Sequence, residues 1–380
     1  TLVAARMIGG LGVGISLIIA PMYIAEIAPP KLRGQMVSFN QLNIVLGISV
    51  AFFTNYLILQ LGKSDIAWAQ SLNIDKWNWR WMLSLELLPA IVYFIGLLFV
   101  PRSPRWLVMA GLSDEARAIM NRALGKEKAV NEMNNIRAAI DKDITKNKPT
   151  VRELFTKGMK LVLLLGIVIA ILQQITGINS IFFYAPIIFE QTGIGTDASF
   201  VQAIFVGLTN LVFTIVAILL IDKLGRKPLL IFGSAGIAIA MFILSYSFSS
   251  ATYSLSDKAL TEMSEKFDAQ ALAPMTGKTY NSDLEYKADL EKHLGKQAAK
   301  NESELIAAGI NMNALLVLIG IIGFVASFAV SVGPVMWVLI SELFPNRLRG
   351  MAISLVGLIN SGVSFMVQLV FPWELANFGS

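Results

Sequence analysis

Three carboxamide side chains stand close together in a stretch of the sequence that is otherwise suited to lipid. The stretch reads "ILQQITGINSIFFYAP" over residues 171–186, and the amides belong to Gln173, Gln174 and Asn179. A carboxamide both donates and accepts hydrogen bonds without carrying charge, so it matches the hydroxyl groups of a polar, uncharged ligand. The alternative is that these amides only join helices to one another inside a bilayer.

A glycine separates the paired glutamines from the asparagine. At about 100° per residue, Gln174 and Asn179 would lie roughly 140° apart on an ideal helix and would not share a face. Gly177 lies between them, and a glycine allows a membrane helix to bend or unwind beside a cavity. The spacing therefore predicts a broken helix whose two halves present their amides together.

The composition places these residues in a membrane protein. Hydrophobic residues make up 55% of the 380 residues and charged residues only 15%, which is outside the usual range for a soluble domain. A helical span needs about 20 apolar residues, and the long continuous runs differ from the alternating pattern of a β-barrel. We expect an all-α membrane protein with eight spans, near Leu2–Ile24, Val37–Leu59, Trp81–Val100, Leu161–Phe189, Phe200–Ile221, Pro228–Phe248, Met312–Ile340 and Met351–Val370.

The loops carry opposite charge. Residues 101–160 hold 13 Lys and Arg against 7 Asp and Glu, whereas residues 249–311 hold 7 Lys against 10 Asp and Glu. The positive-inside rule places the first loop in the cytoplasm, as a linker with short amphipathic helices, and the second outside as a polar insertion. The net charge of +5 then reflects basic cytoplasmic loops, so no nucleic-acid partner is expected.

The sequence offers little for covalent chemistry. It contains no cysteine and a single histidine, His293 in the polar insertion, which has no partner at the spacing of a metal site. No nucleotide-binding loop, histidine within a span or pair of carboxylates in a cleft is recognisable. We expect no enzyme activity, no cofactor and no metal.

A short charged motif occurs twice. "EIAPPKLRG" begins at Glu26 and "ELFPNRLRG" at Glu342, and both lie at the cytoplasmic end between consecutive spans. Such a repeat indicates two related halves of a bundle. Pairing of Glu26 with Arg33, and of Glu342 with Arg349, would contribute little while exposed, but in a network that forms in one state only it would act as a latch.

Taken in order, several motifs resemble those of the sugar porters of the major facilitator superfamily, most closely the bacterial D-xylose/proton symporters. They are "RMIGGLGVG", "PMYIAEIAPPKLRG", "FNQ", "WNWRWM", "PRSPRWL", "QQITGIN" with "YAP", "DKLGRKP" and "GPVMWVLISELFPNRLRG". The resemblance extends over the chain except for residues 249–311. In one motif, Arg102 stands where the family usually has a glutamate of the intracellular charge network.

The resemblance implies a helical bundle of twelve spans in two six-helix halves, of which eight are present. These would be the fourth to the eleventh, so the chain is expected to be a fragment that lacks the first three spans and the last. Residues 1–100 would belong to the N-terminal half, and residues 161–380 to the C-terminal half.

The resemblance also implies a sugar site. It places Gln173, Gln174 and Asn179 on a broken seventh span, and it adds Gln41, Asn210, Trp337 and Asn360 from the fifth, eighth, tenth and eleventh spans. Trp337 follows a predicted helix break at Gly333 and Pro334, although an interfacial anchor is the alternative for this tryptophan. Xylose symporters carry Gln-Trp at the positions of Asn360 and Ser361, so the site is expected to be roomier here.

Two further groups of charged residues follow from the same matching. Arg6 would face an aspartate of the first span and couple sugar movement to proton movement, with an arginine that snorkels to the interface as the alternative. A cytoplasmic gate would combine residues of the repeated motif with those of the neighbouring loops: Glu26, Arg33, Arg105, Asp222, Arg226, Glu342 and Arg349.

The expected function is therefore transport of a monosaccharide, xylose or a related pentose or hexose, by proton symport through alternating access. A facilitator without proton coupling and a sugar receptor that does not transport are the alternatives. The protein is expected to be a multi-pass protein of the bacterial cytoplasmic membrane, in contact with lipid.

Overall fold

A computed structural model describes residues 2–28, 33–144, 150–194, 196–263, 267 and 269–379 of the chain. Twenty α-helices are formed by these residues: α1 Leu2–Ile27, α2 Arg33–Lys63, α3 Ala67–Ser71, α4 Ile74–Ser84, α5 Leu87–Phe99, α6 Pro104–Met109, α7 Ser113–Leu124, α8 Lys126–Ile144, α9 Lys157–Ile175, α10 Ile178–Glu190, α11 Thr196–Leu224, α12 Arg226–Ser249, α13 Asp257–Met263, α14 Ala269–Leu272, α15 Asp283–Leu294, α16 Lys296–Lys300, α17 Glu302–Gly309, α18 Ala314–Val330, α19 Val332–Leu343 and α20 Asn346–Phe378. Short 3₁₀-helices occupy Val151–Phe155 and Ala273–Met275, and the strands are β1 Thr252–Ser254, β2 Thr279–Tyr280 and β3 Ile310–Asn311.

Eight helical segments of the described residues are long and apolar enough to cross a membrane. They are Leu2–Ile24, Phe39–Lys63, Ile74–Phe99, Lys157–Glu190, Thr196–Ile221, Arg226–Ser249, Ala314–Ile340 and Arg347–Phe378. Each overlaps one of the eight spans predicted from hydropathy, because backbone groups in hydrocarbon must be satisfied within the segment and long apolar runs therefore fold as helices.

The chain forms two compact units. The first comprises Thr1–Ile44, Ile58–Gly166 and Val338–Gly357, and the second comprises Val45–Leu57, Ile167–Trp337 and Leu358–Ser380. In the first unit, helices α6, α7 and α8 enclose a small apolar core of Leu107, Ala116, Met120, Ala129 and Met133. The second unit contains the candidate site.

Two helix breaks shape the second unit. The predicted break between the glutamines and Asn179 is confirmed: α9 ends at Ile175, α10 begins at Ile178, and Gly177 adopts a left-handed conformation with φ 81°. A residue with a side chain would be strained at this φ, which is why glycine separates the two halves. The second break, between α18 and α19, falls at Ser331, two residues before the predicted Gly333.

Small residues allow α12 and α18 to pack closely. A Cβ atom at Gly233 would collide with the side chain of Ser331 and lie 2.9 Å from the carbonyl oxygen of Ser327. The hydroxyl of Ser331 itself donates to that carbonyl at 2.6 Å. Close backbone approach between small residues is the usual way in which membrane helices gain packing energy.

The insertion, which we define as residues 249–311, is a folded subdomain. Its three strands pair in the order β2-β1-β3, with Tyr253 opposite Tyr280 in one antiparallel pair and opposite Ile310 in the other. Tyr253, Leu272, Met275, Tyr286 and Leu305 are at most 2% exposed and form the centre of its core. The sequence predicted only a polar loop here, since the short strands and helices carry no long periodic pattern.

Candidate functional site

Four amide side chains meet across the break between α9 and α10 and form what we call the amide cluster: Gln173, Gln174, Asn179 and Asn360. The amide of Asn179 donates to the side-chain oxygen of Gln174 at 2.7 Å. Gln174 in turn donates to the side-chain oxygen of Asn360 at 3.1 Å. Asn360 donates to the side-chain oxygen of Gln173 at 2.8 Å, which makes the cluster continuous.

Backbone carbonyls hold two members of the amide cluster in place. Gln173 Nε2 donates to the carbonyl oxygens of Val332 and Gly333 at 3.0 and 3.2 Å, in the first turn of α19. Asn360 Nδ2 also donates to the carbonyl oxygen of Ala170 at 3.0 Å. Gln173 and Asn360 are only 4% and 6% exposed. A buried amide with satisfied donors has a fixed orientation, so these contacts pre-position the cluster.

Three residues of the amide cluster, all except Gln173, line a cavity of about 580 Å³ in the second unit. Its lining comprises Gln174, Asn179, Asn360, Ser361, Ser364, Phe365, Gln368 and Leu369. Pockets for small molecules have volumes of roughly 300–1,000 Å³ and combine apolar walls with a few placed polar groups. This cavity has uncharged donors and acceptors beside one aromatic ring. The arrangement suits a ligand with several hydroxyl groups.

The other predicted site residues lie apart from the lining of this cavity. Asn210 on α11 is 4% exposed and Trp337 on α19 is partly buried, and the eight residues that line the cavity in the described part of the chain include neither. Gln41, on α2, is partly buried in the first unit. Roles for these three residues in binding stay predictions.

Four cavity residues on α20 were not predicted from the sequence. Ser364, Phe365, Gln368 and Leu369 lie in the same apolar run as Asn360. The spacing of Asn360, Ser364 and Gln368 at four-residue intervals was a usable signal, since it places three polar side chains on one helix face.

Arg6 in the first unit contacts an acid, Glu86, that was not predicted from the sequence. Its Nη1 atom lies 3.0 and 2.9 Å from the two carboxylate oxygens of Glu86, between α4 and α5. Both residues fall within predicted membrane spans. An acid within a span is rare enough to mark a functional residue or its partner, so Glu86 could have been identified from hydropathy and charge alone.

The structure describes the side chains of five of the seven residues predicted for the cytoplasmic gate. Glu26 accepts a hydrogen bond from the hydroxyl of Ser103, and Arg226 donates to the carbonyl oxygen of Ile221 at 3.1 Å. Arg105 and Arg349 are partly buried, whereas Glu342 is exposed. The side chains of Arg33 and Asp222 lie outside the described residues, so the pairing of Glu26 with Arg33 stays a prediction.

A different ion pair is present near the second charged motif. Arg347 contacts the two carboxylate oxygens of Glu153 at 2.7 and 3.0 Å. Glu153 also accepts a hydrogen bond from the backbone nitrogen of Thr150 at 3.1 Å, which is one half of a capping box. The Thr150 backbone hydrogen bond and the Arg347 guanidinium together lower the pKa of Glu153. The pair joins the segment before α9 to the start of α20.

The combination of long apolar helices and a polar, uncharged cavity in the second unit is typical of membrane transporters for small polar molecules. The family model described as "Sugar (and other) transporter" matches residues 1–264 and 298–380. The chain therefore belongs to the sugar transporter family, is a multi-pass membrane protein and has the helical-bundle fold of the major facilitator superfamily. Residues 265–297, which the match omits, lie within the insertion.

Curated relatives agree with this family. The chain is 34% identical over 379 residues to the arabinose-proton symporter of Bacillus subtilis (strain 168), with 100% of this chain and 67% of the relative covered. It is also 34% identical to the D-xylose-proton symporter of Escherichia coli (strain K12), with 98% of this chain and 62% of the relative covered. The chain spans about two thirds of the length of these relatives.

Solved structures show the same fold. The xylose transporter XylE from E. coli in a partially occluded inward-open conformation matches with a TM-score of 0.63 and 33% identity, over 95% of this chain and 62% of that one. The proton:xylose symporter XylE bound to 6-bromo-6-deoxy-D-glucose matches with a TM-score of 0.67 and 32% identity, over 98% of this chain and 65% of that one. The prediction that three spans precede this chain and one follows it is not established by these coverages and stays a prediction.

Proposed function

We propose that the protein containing this chain is a secondary transporter that moves a monosaccharide across the bacterial cytoplasmic membrane by proton symport. The observation that carries the proposal is the amide cluster, of which Gln173, Gln174 and Asn360 are buried, beside a cavity of about 580 Å³. Amides at this position hydrogen-bond to sugar hydroxyls without the desolvation cost of a charge. Xylose or a related pentose or hexose is the proposed substrate class.

Alternating access requires a site that can open to either side, and the broken α9–α10 segment supports this requirement. Gln173 and Gln174 precede the break at Gly177, and Asn179 follows it. A change of angle at Gly177 would alter the position of Asn179 relative to Gln174. In this proposal, sugar binding stabilises the conformation in which both amides reach the same ligand.

Proton coupling is proposed for Arg6 together with Glu86. An arginine in a span needs a partner, and the carboxylate of Glu86 lies 2.9 Å from it. Protonation of a carboxylate beside Arg6 would remove the ion pair and so link proton binding to conformation. The relatives named as arabinose-proton and D-xylose-proton symporters support coupling.

The proposed organisation assigns the eight spans to positions four to eleven of a twelve-span bundle, with residues 101–160 as a cytoplasmic linker and the insertion outside. This organisation is inferred from the order of the motifs along the chain and from the opposite net charges of the two long loops. The cytoplasmic gate proposed above would close the inner side, with the Glu153–Arg347 pair beside it.

Counterflow of labelled D-xylose and D-glucose in proteoliposomes, together with net uptake under an imposed pH gradient, tests the proposal. Counterflow together with gradient-driven uptake is the expected result. Counterflow without any effect of the gradient would favour the facilitator, and sugar binding without counterflow would favour the receptor.

A further inference from the structure

The amide cluster continues along α20 toward its C-terminal end. Asn360, Ser364 and Gln368 recur at four-residue intervals, so they lie on one face of the helix, about 6 Å apart along its axis. All three line the cavity, together with Ser361, Phe365 and Leu369. Polar residues at such positions in a span are costly unless they have partners or a function.

Hydrogen bonds join Gln368 to the amide cluster through Ser364. The hydroxyl oxygen of Ser364 accepts from Asn179 Nδ2 at 2.8 Å and from Gln368 Nε2 at 2.9 Å. Gln368 Nε2 also lies 3.2 Å from the carbonyl oxygen of Ser364. Asn179 and Gln368 are thus both held by one hydroxyl group, although Asn179 follows the break between α9 and α10 and Gln368 lies on α20.

The geometry leaves one group of Gln368 for a ligand. Both of the hydrogen bonds that Gln368 makes to the described residues come from its Nε2 atom, and its side chain is partly buried on the wall of the cavity. The carboxamide oxygen of Gln368, which accepts hydrogen bonds, is therefore the atom that can bind a ligand. A ligand hydroxyl that donates to it would lie next to the hydroxyl bound by Asn179.

We propose that Gln368, positioned by Ser364, is a specificity-determining residue that binds one particular hydroxyl of the sugar. The inference deepens the proposed function and rests on it. Phe365 and Leu369, on the same cavity wall, supply the apolar surface that the C–H groups of a sugar ring pack against.

A purely structural role of Gln368 predicts a different effect of its removal on sugar binding. If Gln368 only bonded back to Ser364 within α20, its removal would weaken binding of every sugar by the same factor or leave binding unchanged. If Gln368 binds one hydroxyl, removing the amide and removing that hydroxyl must be non-additive, because either change alone abolishes the same contact.

The test measures binding of D-glucose, D-xylose and the 2-, 3-, 4- and 6-deoxy derivatives of D-glucose to the purified protein and to Gln368→Met, which keeps side-chain length. We expect Gln368→Met to weaken D-glucose binding about three- to tenfold, the effect of one neutral hydrogen bond. We expect it to leave the affinity for one sugar that lacks the relevant hydroxyl within about twofold of its wild-type value.

Two controls keep the result interpretable. Asn377→Leu removes an amide on the same helix that donates to the carbonyl oxygen of Trp373 and should leave the pattern across sugars unchanged. Ser364→Ala provides a second variant if Gln368→Met folds poorly, and it should reduce discrimination at the same hydroxyl, since Gln368 loses its positioning contact.

Equal weakening across all sugars, or no change in any affinity, overturns the role of Gln368 while leaving the proposed function intact. A wild-type protein that binds none of these sugars overturns the proposed function and this inference with it.

Discussion

The spans of the second unit and the insertion stabilise their polar groups in different ways. In the second unit, the amides of the cluster and the Ser331 hydroxyl bond to one another or to backbone carbonyls. The buried hydroxyl of Ser180 has no hydrogen-bond partner among the described residues. The insertion instead contains ion pairs, in which Lys287 lies 3.3 Å from Asp283 and 2.9 Å from Glu302. The difference reflects the surroundings, because a charge is tolerated where water remains near and is costly in hydrocarbon.

The pKa of Lys287 illustrates the balance within the insertion. Burial by itself lowers the pKa of this ammonium group, but Glu302 and Asp283 together raise it above its usual value. In the amide cluster no such balance is needed, since carboxamides remain neutral at every physiological pH. Conditions that change charge should therefore affect the insertion and spare the cluster, whereas changes of volume should affect the spans most.

The largest effect is expected from Gly233→Leu. A side chain at this position would be forced against Ser331 and the Ser327 carbonyl, and overpacking of this kind costs about 3 kcal/mol. We expect a clearly lower melting temperature in detergent. Ile239→Leu, at a site on the same helix that is 64% exposed, should have the melting temperature of the wild type. Equal melting temperatures for Gly233→Leu and Ile239→Leu would contradict the close packing of α12 against α18.

The next effect concerns the amide cluster. Gln174→Ala removes the partner of both Asn179 and Asn360, so we expect sugar affinity to fall about tenfold, equivalent to about 1.4 kcal/mol. Equilibrium binding of the sugar to the purified protein measures this loss of affinity. Gln191→Ala, the same change at the end of α10 and outside the cavity lining, should bind normally; an unchanged affinity in Gln174→Ala would remove the central site assignment.

A smaller effect is expected in the core of the insertion. Tyr286→Phe removes the hydrogen bond that the tyrosine hydroxyl donates to the Leu305 carbonyl at 3.2 Å, which should lower local stability by about 1 kcal/mol. Hydrogen exchange of peptides from residues 249–311 should become faster, while exchange in α12 and α18 stays the same. Tyr246→Phe, at a site that is 61% exposed, is the matched control and should change neither region.

The smallest effect is a dependence on pH through Asp289. The hydroxyl of Tyr280 at 2.6 Å, and then the ammonium group of Lys278 at 3.2 Å, lower the pKa of this carboxyl. A pKa that is lower in the folded state contributes stability above the unfolded value of about 3.9, and that stability is lost as pH falls through the folded pKa.

The protection of the insertion against hydrogen exchange, relative to the intrinsic exchange rate at each pH, should therefore decrease below about pH 4, whereas protection around the amide cluster should not. Asp289→Asn should reduce this acid dependence. An identical pH profile in wild type and variant would show that Asp289 does not contribute to the stability of the insertion.

The sequence identified features that depend on local physics. Hydropathy located all eight spans to within a few residues at most ends, because lipid imposes one rule on every long apolar segment. Gly177 indicated the break between α9 and α10 through its permissive backbone. The same reasoning failed at residues 249–311, where Tyr253, Tyr280 and Tyr286 form a core only after short strands and helices come together.

The sequence alone determined a membrane bundle of helices with three amides beside a glycine, since composition, span length and backbone freedom are properties of short segments. The tertiary structure decided which distant residues complete the site. Asn360 meets Gln174 across 186 positions of sequence, Ser364 joins Asn179 to Gln368, and Arg6 meets Glu86 across 80 positions. Such contacts depend on how helices pack against one another, and no local pattern specifies that packing.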